Sequence, residues 1–436
     1  MADRSPMPKE VNMRKSDARY AQFVSILKEE LLPAMGCTEP IAIAYAAAKA
    51  RAVLGTVPEK MTIEVSGNII KNVKSVVVPH TGGLRGIKAA AAAGAVAGNE
   101  DAELEVISNV TQEQIEEIER YLESAEMDII HVDREHIFDI GVKAFAGEDV
   151  SYVRIVDYHN NIVEIKRNDD VILLKESAMQ GDDLTDRSEL IINAIIDFAN
   201  SVDLDDVRET LQRQIDYNMA IAEEGLQGDY GANIGKVLLA GHEDDLPYVM
   251  RAYAAAGSDA RMNGCELPVV INSGSGNQGI TASVPVIVYA REMEKTEEQL
   301  LRALVISNLV TIHLKTGIGR LSAYCGVVSA GCGAGAGISY LRENNPDAIR
   351  HTIVNALAVD SGIVCDGAKA SCAAKIASAV DAGLMGMWMY EHGNEFFGGD
   401  GIVKHGVEKT IETVGKLASR GMRATDEEII RLMLEE

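Results

Sequence analysis

Apolar residues first recur at helical spacing from Asp17 onward, where Tyr20, Phe23, Val24, Ile26, Leu27 and Leu31 share one face and Pro33 closes the helix. An alanine-rich helix follows over 41–53, with Thr38 as its cap and Pro40 in its first turn. At Met61 the period changes from helical to alternating. Residues 62–65 and 73–78 read as strands joined by a Gly67-Asn68 hairpin turn, and 104–107 reads as a short strand. Further strands are expected at 128–132, 137–144, 150–157 and 162–167, with helices after Gly86 and over 112–124. Beyond about residue 183 the pattern is helical again, over 188–201, 207–224, 233–239, 246–257, 280–294, 300–313, 346–359, 375–383, 407–418 and 426–434. These spans predict an α+β fold: a mostly helical catalytic domain with a smaller, strand-rich α/β domain inserted into it. Residues 1–57 belong to the helical domain, 58–172 form the insertion, and 173–436 complete the helical domain.

Two runs obey neither period. Ser322–Gly337 and Gly362–Cys372 consist of small residues, nearly lack charge, and hold four of the six cysteines. Too apolar for surface loops and too short of large side chains for ordinary core helices, they read as places where backbones approach each other or a bulky inorganic group.

Composition narrows the function. The 436-residue chain is 47% apolar, enough for a sizeable core, and carries a formal charge of -25, which disfavours nucleic acid as a partner. No apolar segment follows the start, and the most apolar stretches are interrupted before membrane-spanning length. A cytoplasmic protein with no membrane partner is expected. There the cysteines are reduced, metal-bound or catalytic rather than disulfide-paired, although each alone is equally a small core residue.

Cys37 sits just before a helix, where amide donors and the helix dipole favour a thiolate. Asn272-Ser273-Gly-Ser275-Gly-Asn277-Gln278-Gly lies between a short apolar run and a helix, an arrangement that presents amides and hydroxyls to a small anion such as a carboxylate. It matches neither GxGxxG nor the Walker pattern, so nucleotide is disfavoured. Gly82–Gly86 is a second, less specific anion turn, with a plain strand-to-helix turn as its alternative, and His80 stands beside it. Neither ferredoxin nor zinc-ribbon spacing occurs. On an unbroken helix Cys365 and Cys372 would lie roughly 10 Å apart along the axis, too far to share a cluster comfortably unless Gly367 breaks the helix. Three of Cys325, Cys332, Cys365 and Cys372 meet at one cluster if the two runs pack together; core residues at helix crossings are the alternative.

Gly36-Cys37-Thr38-Glu39-Pro40 and its alanine-rich helix resemble the start of L-cysteine desulfidases, which group with the serine dehydratase α-chain-like proteins. The resemblance continues through Gly67-Asn68, Lys71-Asn72, Pro79, Gly82-Gly83, the 272–279 loop and both cysteine runs. The helical half is also similar to iron–sulfur L-serine dehydratases, with a different spacing in the second cysteine run. The resemblance implies an oxygen-sensitive [4Fe-4S] cluster held by Cys325, Cys365 and Cys372, with one iron open to substrate. Cys37 becomes a displaceable fourth ligand or the base, Asn272, Ser273, Ser275, Asn277 and Gln278 bind substrate, and Cys332 and Cys265 are structural. The implied activity is β-elimination of L-cysteine to sulfide, ammonia and pyruvate. L-serine dehydration and a non-catalytic amino-acid-binding relative are the alternatives. A pyridoxal-phosphate lyase using Lys315, Lys369 or Lys375 would leave the cysteine runs without a role. The implied partner is a small amino acid; the oligomeric state stays open, a homodimer among the options.

Overall fold

Strand Lys60–Val65 buries Met61, Ile63 and Val65 and leaves alternate positions half-exposed, the period of a sheet with one covered face. It belongs to a six-stranded sheet in the order Glu126–His131, Lys60–Val65, Asp139–Ala146, Asp149–Val156, Ile162–Arg167, Asp170–Leu174. The computed structural model describes residues 13–175, 184–319 and 321–435. Lys60–Val65 runs parallel to Glu126–His131, and all other neighbours in the sheet are antiparallel. Helix Thr38–Leu54 packs on Asp139–Ala146 and Asp149–Val156, and Gly86–Ala97 packs on that helix. One hydrophobic core, with buried members from Cys37 to Ile162, joins these helices to the sheet.

The parallel pair explains the main departure from the sequence reading. Gly67–Val73 is a fully buried helix, not a hairpin turn leading into a strand. A parallel neighbour needs a crossover, and helices Gly67–Val73, Gly86–Ala97 and Gln112–Ser124 provide it. Residues expected as a strand at 104–107 overlap the 3-10 turn Glu103–Glu105, followed by buried Val106 and Ile107. Two strands were not foreseen: the sheet edge Asp170–Leu174, and Pro33–Met35, which pairs antiparallel with Pro268–Val270. Pro33 therefore opens a strand, the preceding helix having ended at Glu30.

The second core runs from Met13 to Leu31 and again from Leu190 to Ala418. At its centre lies helix Gly326–Glu343, packed against Gly276–Glu292, Glu297–Ile318, Pro346–Asp360 and Cys372–Glu391. The small-residue run is thus a core helix after all, buried from Val327 to Leu341. Its glycines replace side-chain bulk with backbone proximity. A Cβ on Gly331 would fall 2.2 Å from the Ala379 carbonyl oxygen, and one on Gly335 would fall 2.8 Å from the Gly383 Cα. Close packing of this kind recovers by dispersion what the missing large side chains would have buried.

The α+β class expected from the sequence is the class observed. The final helix, Arg423–Leu434, lies on Gly67–Val73, where buried Lys71 pairs with Asp426 and Asn68 Nδ2 donates to Asp426 Oδ2 at 3.0 Å. No helix among the described residues is long and apolar enough to cross a membrane.

Candidate active site

A cavity of about 120 Å³ takes its lining from both cores. Cys37 and Glu39 reach it from the start of helix Thr38–Leu54, and Lys71 and Asn72 from helix Gly67–Val73. Opposite them stand Arg261, Lys315, five residues of the 272–279 loop, and Cys325, Cys365 and Cys372.

The three cysteines arrive by different routes. Cys325 caps helix Gly326–Glu343, and Cys372 is the first residue of helix Cys372–Glu391. Cys365 lies in the segment between helices, held beside Cys325 by backbone bonds. Its amide donates to the Ala323 carbonyl at 2.6 Å, and the Cys325 amide donates to the Ile363 carbonyl at 3.1 Å. Gly367, at φ +97°, turns the chain so that no helix runs from Cys365 to Cys372. Its place is also sterically closed: a Cβ there would lie 2.0 Å from the Lys71 carbonyl oxygen.

All three are free thiols. A hydrogen bond with Cys325, helped by the Lys71 charge and opposed by burial, brings the Cys365 thiol below the ordinary thiol range. The same bond, with burial, holds Cys325 well above the ordinary thiol range, and burial raises Cys372. Among the described residues no three His, Cys, Asp or Glu side chains converge tightly enough for a metal-ion group. Cys332 faces the helical core rather than the cavity, and Cys265 is buried outside it.

Cys37 differs from its expected state. It stands at the N-terminus of its helix but makes no capping bond through its side chain. Its thiol instead donates to Glu39 Oε2 at 3.1 Å. Burial first and the Glu39 charge second push this thiol well up, with Arg261 acting in the opposite sense. The expected thiolate is therefore disfavoured, because burial and, after it, an anion two residues away outweigh the helix terminus. Glu39 is fixed in turn by Asn72 Nδ2, which donates to Oε1 at 3.2 Å.

The 272–279 segment forms a tight turn after strand Pro268–Val270 and leads into helix Gly276–Glu292. Asn272 and Ser275 exchange backbone hydrogen bonds of 3.1 Å. Ser273, Ser275, Asn277 and Gln278 line the cavity. Asn272 stands behind it, fully buried, donating to Asn308 Oδ1 at 3.0 Å while accepting from Ser273 Oγ at 2.9 Å. Asn308 is itself paired with Gln214, so a buried amide network supports the turn.

His80 and the Gly82–Gly86 turn do not line this cavity; His80 Nδ1 is 3.3 Å from Glu266. Sequence reasoning gave no role to Glu39, Lys71, Asn72 or Arg261. The first three fall inside the quoted motifs, whereas Arg261, at the end of helix Leu246–Met262, carries no local signal. A second cavity of about 320 Å³ shares Ser273 and Lys315 with the first.

Comparison with known proteins bears on this arrangement. A family model described as serine dehydratase alpha chain matches residues 101–431, which include the 272–279 turn and the three clustered cysteines. A UPF0597 protein of Desulfitobacterium hafniense is 57% identical, the match covering 97% of this chain and 99% of the relative. A UPF0597 protein of Lachnoclostridium phytofermentans is 52% identical over 95% of this chain and 100% of its own. A third, from Treponema denticola, is 46% identical over 97% and 100%. The chain belongs to the serine dehydratase alpha chain family.

Proposed function

We propose that this chain is an iron–sulfur-dependent L-cysteine desulfidase, which eliminates sulfide from L-cysteine and releases pyruvate and ammonia. The observation that carries the reading is the meeting of Cys325, Cys365 and Cys372 with Cys37 and the 272–279 turn around one cavity. The donor set fits a polynuclear cluster: three soft thiols line one small space without converging on one point. When bound by Cys325, Cys365 and Cys372, a [4Fe-4S] cluster supplies an iron Lewis acid for the leaving sulfur.

The chain's own residues do the rest. Ser273, Ser275, Asn277 and Gln278 orient the amino acid, and the buried amides behind them keep the turn rigid. Cys37 Sγ passes its proton to Glu39 Oε2, and the thiolate so formed takes the proton from the substrate Cα. The Cα electron pair forms the double bond as the Cβ–S bond breaks and sulfur leaves as sulfide. The resulting aminoacrylate takes up water and yields pyruvate and ammonia. Asn72 holds Glu39 in place for the transfer. A cytoplasmic location goes with this reading, since its cysteines have to stay reduced.

L-serine dehydration by the same residues is the second reading, favoured by the description of the matching family. Protein purified without oxygen is assayed for sulfide and pyruvate from L-cysteine beside L-serine. Sulfide and pyruvate from L-cysteine are expected. Pyruvate from L-serine alone moves the assignment to the dehydratase, and an iron-loaded protein inert on both leaves an amino-acid-binding relative.

A further inference from the structure

Arg261 is 5% exposed and faces the cavity. Its Nη1 donates to Asn277 Oδ1 at 3.2 Å, while its Nε is buried with no hydrogen-bond partner. No carboxylate among the described residues pairs with it. A buried cation without a counter-ion is costly, and a protein keeps one where a ligand brings the missing charge. The surroundings leave it room: Gly276 sits so close that a Cβ there would fall 2.3 Å from Arg261 Nε. Gln278 Oε1, lining the same cavity, is likewise buried and unpartnered. One small space thus holds an unpaired donor cation and an unpaired acceptor, the complement of a zwitterion. The hydroxyls of Ser273 and Ser275 are neutral and cannot balance the guanidinium.

We infer that Arg261 receives the α-carboxylate of the substrate while Gln278 Oε1 accepts from its α-ammonium, so that the site selects α-amino acids over amines and simple thiols. This rests on the lyase reading and adds the residue that sets its substrate class. The arginine's planar fork suits a carboxylate, which a lysine would meet only as a point charge.

The test uses cluster-loaded protein and two unreactive probes, L-alanine and ethylamine, the second lacking the carboxylate. Calorimetry measures their binding to the wild type, Arg261→Gln, Arg261→Lys and Gly276→Ala, alongside turnover of L-cysteine. Arg261→Gln is expected to weaken L-alanine binding and raise KM for L-cysteine about 100-fold, the effect of removing one member of a buried charge pair. Ethylamine binding stays as in the wild type. Arg261→Lys recovers part of the loss, and Gly276→Ala, which keeps the charge but displaces it, repeats the selective loss. Unchanged L-alanine binding in Arg261→Gln, with L-cysteine still turned over, overturns the inference and leaves the lyase reading standing. Equal weakening of both probes also overturns it, since that marks a structural role. A loaded wild type that neither binds L-alanine nor acts on L-cysteine removes both.

Discussion

The sheet-centred core and the helical core bury their residues by different means, and the cavity takes different chemistry from each. Around the sheet, Met61, Ile63, Val65, Ile140 and Val142 fill space with side chains. Around helix Gly326–Glu343, glycine and alanine bring backbones together, and buried amides such as Asn272, Gln214 and Asn308 tie the helices. The sheet side contributes Cys37, Glu39, Lys71 and Asn72, two of them charged side chains. The helical side contributes the three clustered cysteines, the turn and Arg261. A rigid, closely packed frame suits the cluster-holding role proposed for the three cysteines. A thiol paired with a carboxylate suits proton transfer.

This division can be broken from either side. The largest effect is expected from Cys325→Ser, Cys365→Ser or Cys372→Ser: each loses iron and, with it, activity, as seen by metal analysis and product assay of the same sample. Cys37→Ser leaves the iron in place and lowers kcat about 10²–10⁴-fold, the worth of a positioned base. Separation of iron content from turnover in these two sets is what the comparison demands. If Cys37→Ser also empties the protein of iron, the sheet side is a ligand rather than a base.

Stability probes sharpen the same contrast. Lys71 is almost wholly buried, and Asp426 on the last helix is its charged partner. Asp426→Ala strands that cation and is expected to cost about 3–5 kcal/mol, measured by denaturant unfolding. Gly331→Ala forces a methyl toward the Ala379 carbonyl and is expected to cost about 1–3 kcal/mol. Smallest is Thr111→Ala, which removes the capping box of helix Gln112–Ser124 at the rim of the sheet core and costs about 1 kcal/mol.

The fold class was legible because hydrophobic period is local: alternation marks the strands from Lys60 onward, and helical spacing the remainder. Helix Gly67–Val73 was not, because it exists to carry the chain to a parallel neighbour some sixty residues on, and pairing direction leaves no mark on a short segment. Four cysteines could be singled out by their small-residue context, but spacing alone did not separate Cys332 from Cys325; the resemblance set Cys332 aside, and in the fold Cys325 lines the cavity whereas Cys332 does not. Cys37 was found through its motif, but the helix terminus alone was weighed there, whereas burial and then the Glu39 carboxylate hold its thiol up. Asn272 lies one layer behind the residues it was grouped with. Arg261 ends an ordinary helix, and its meaning appears only when its missing counter-ion is noticed in three dimensions.

The most direct measurement is iron and acid-labile sulfide per chain after anaerobic reconstitution, in the wild type beside Cys365→Ser. About four of each per wild-type chain, falling sharply in the variant, is the predicted result. A wild type that takes up no iron contradicts the account and returns Cys325, Cys365 and Cys372 to the role of small buried residues.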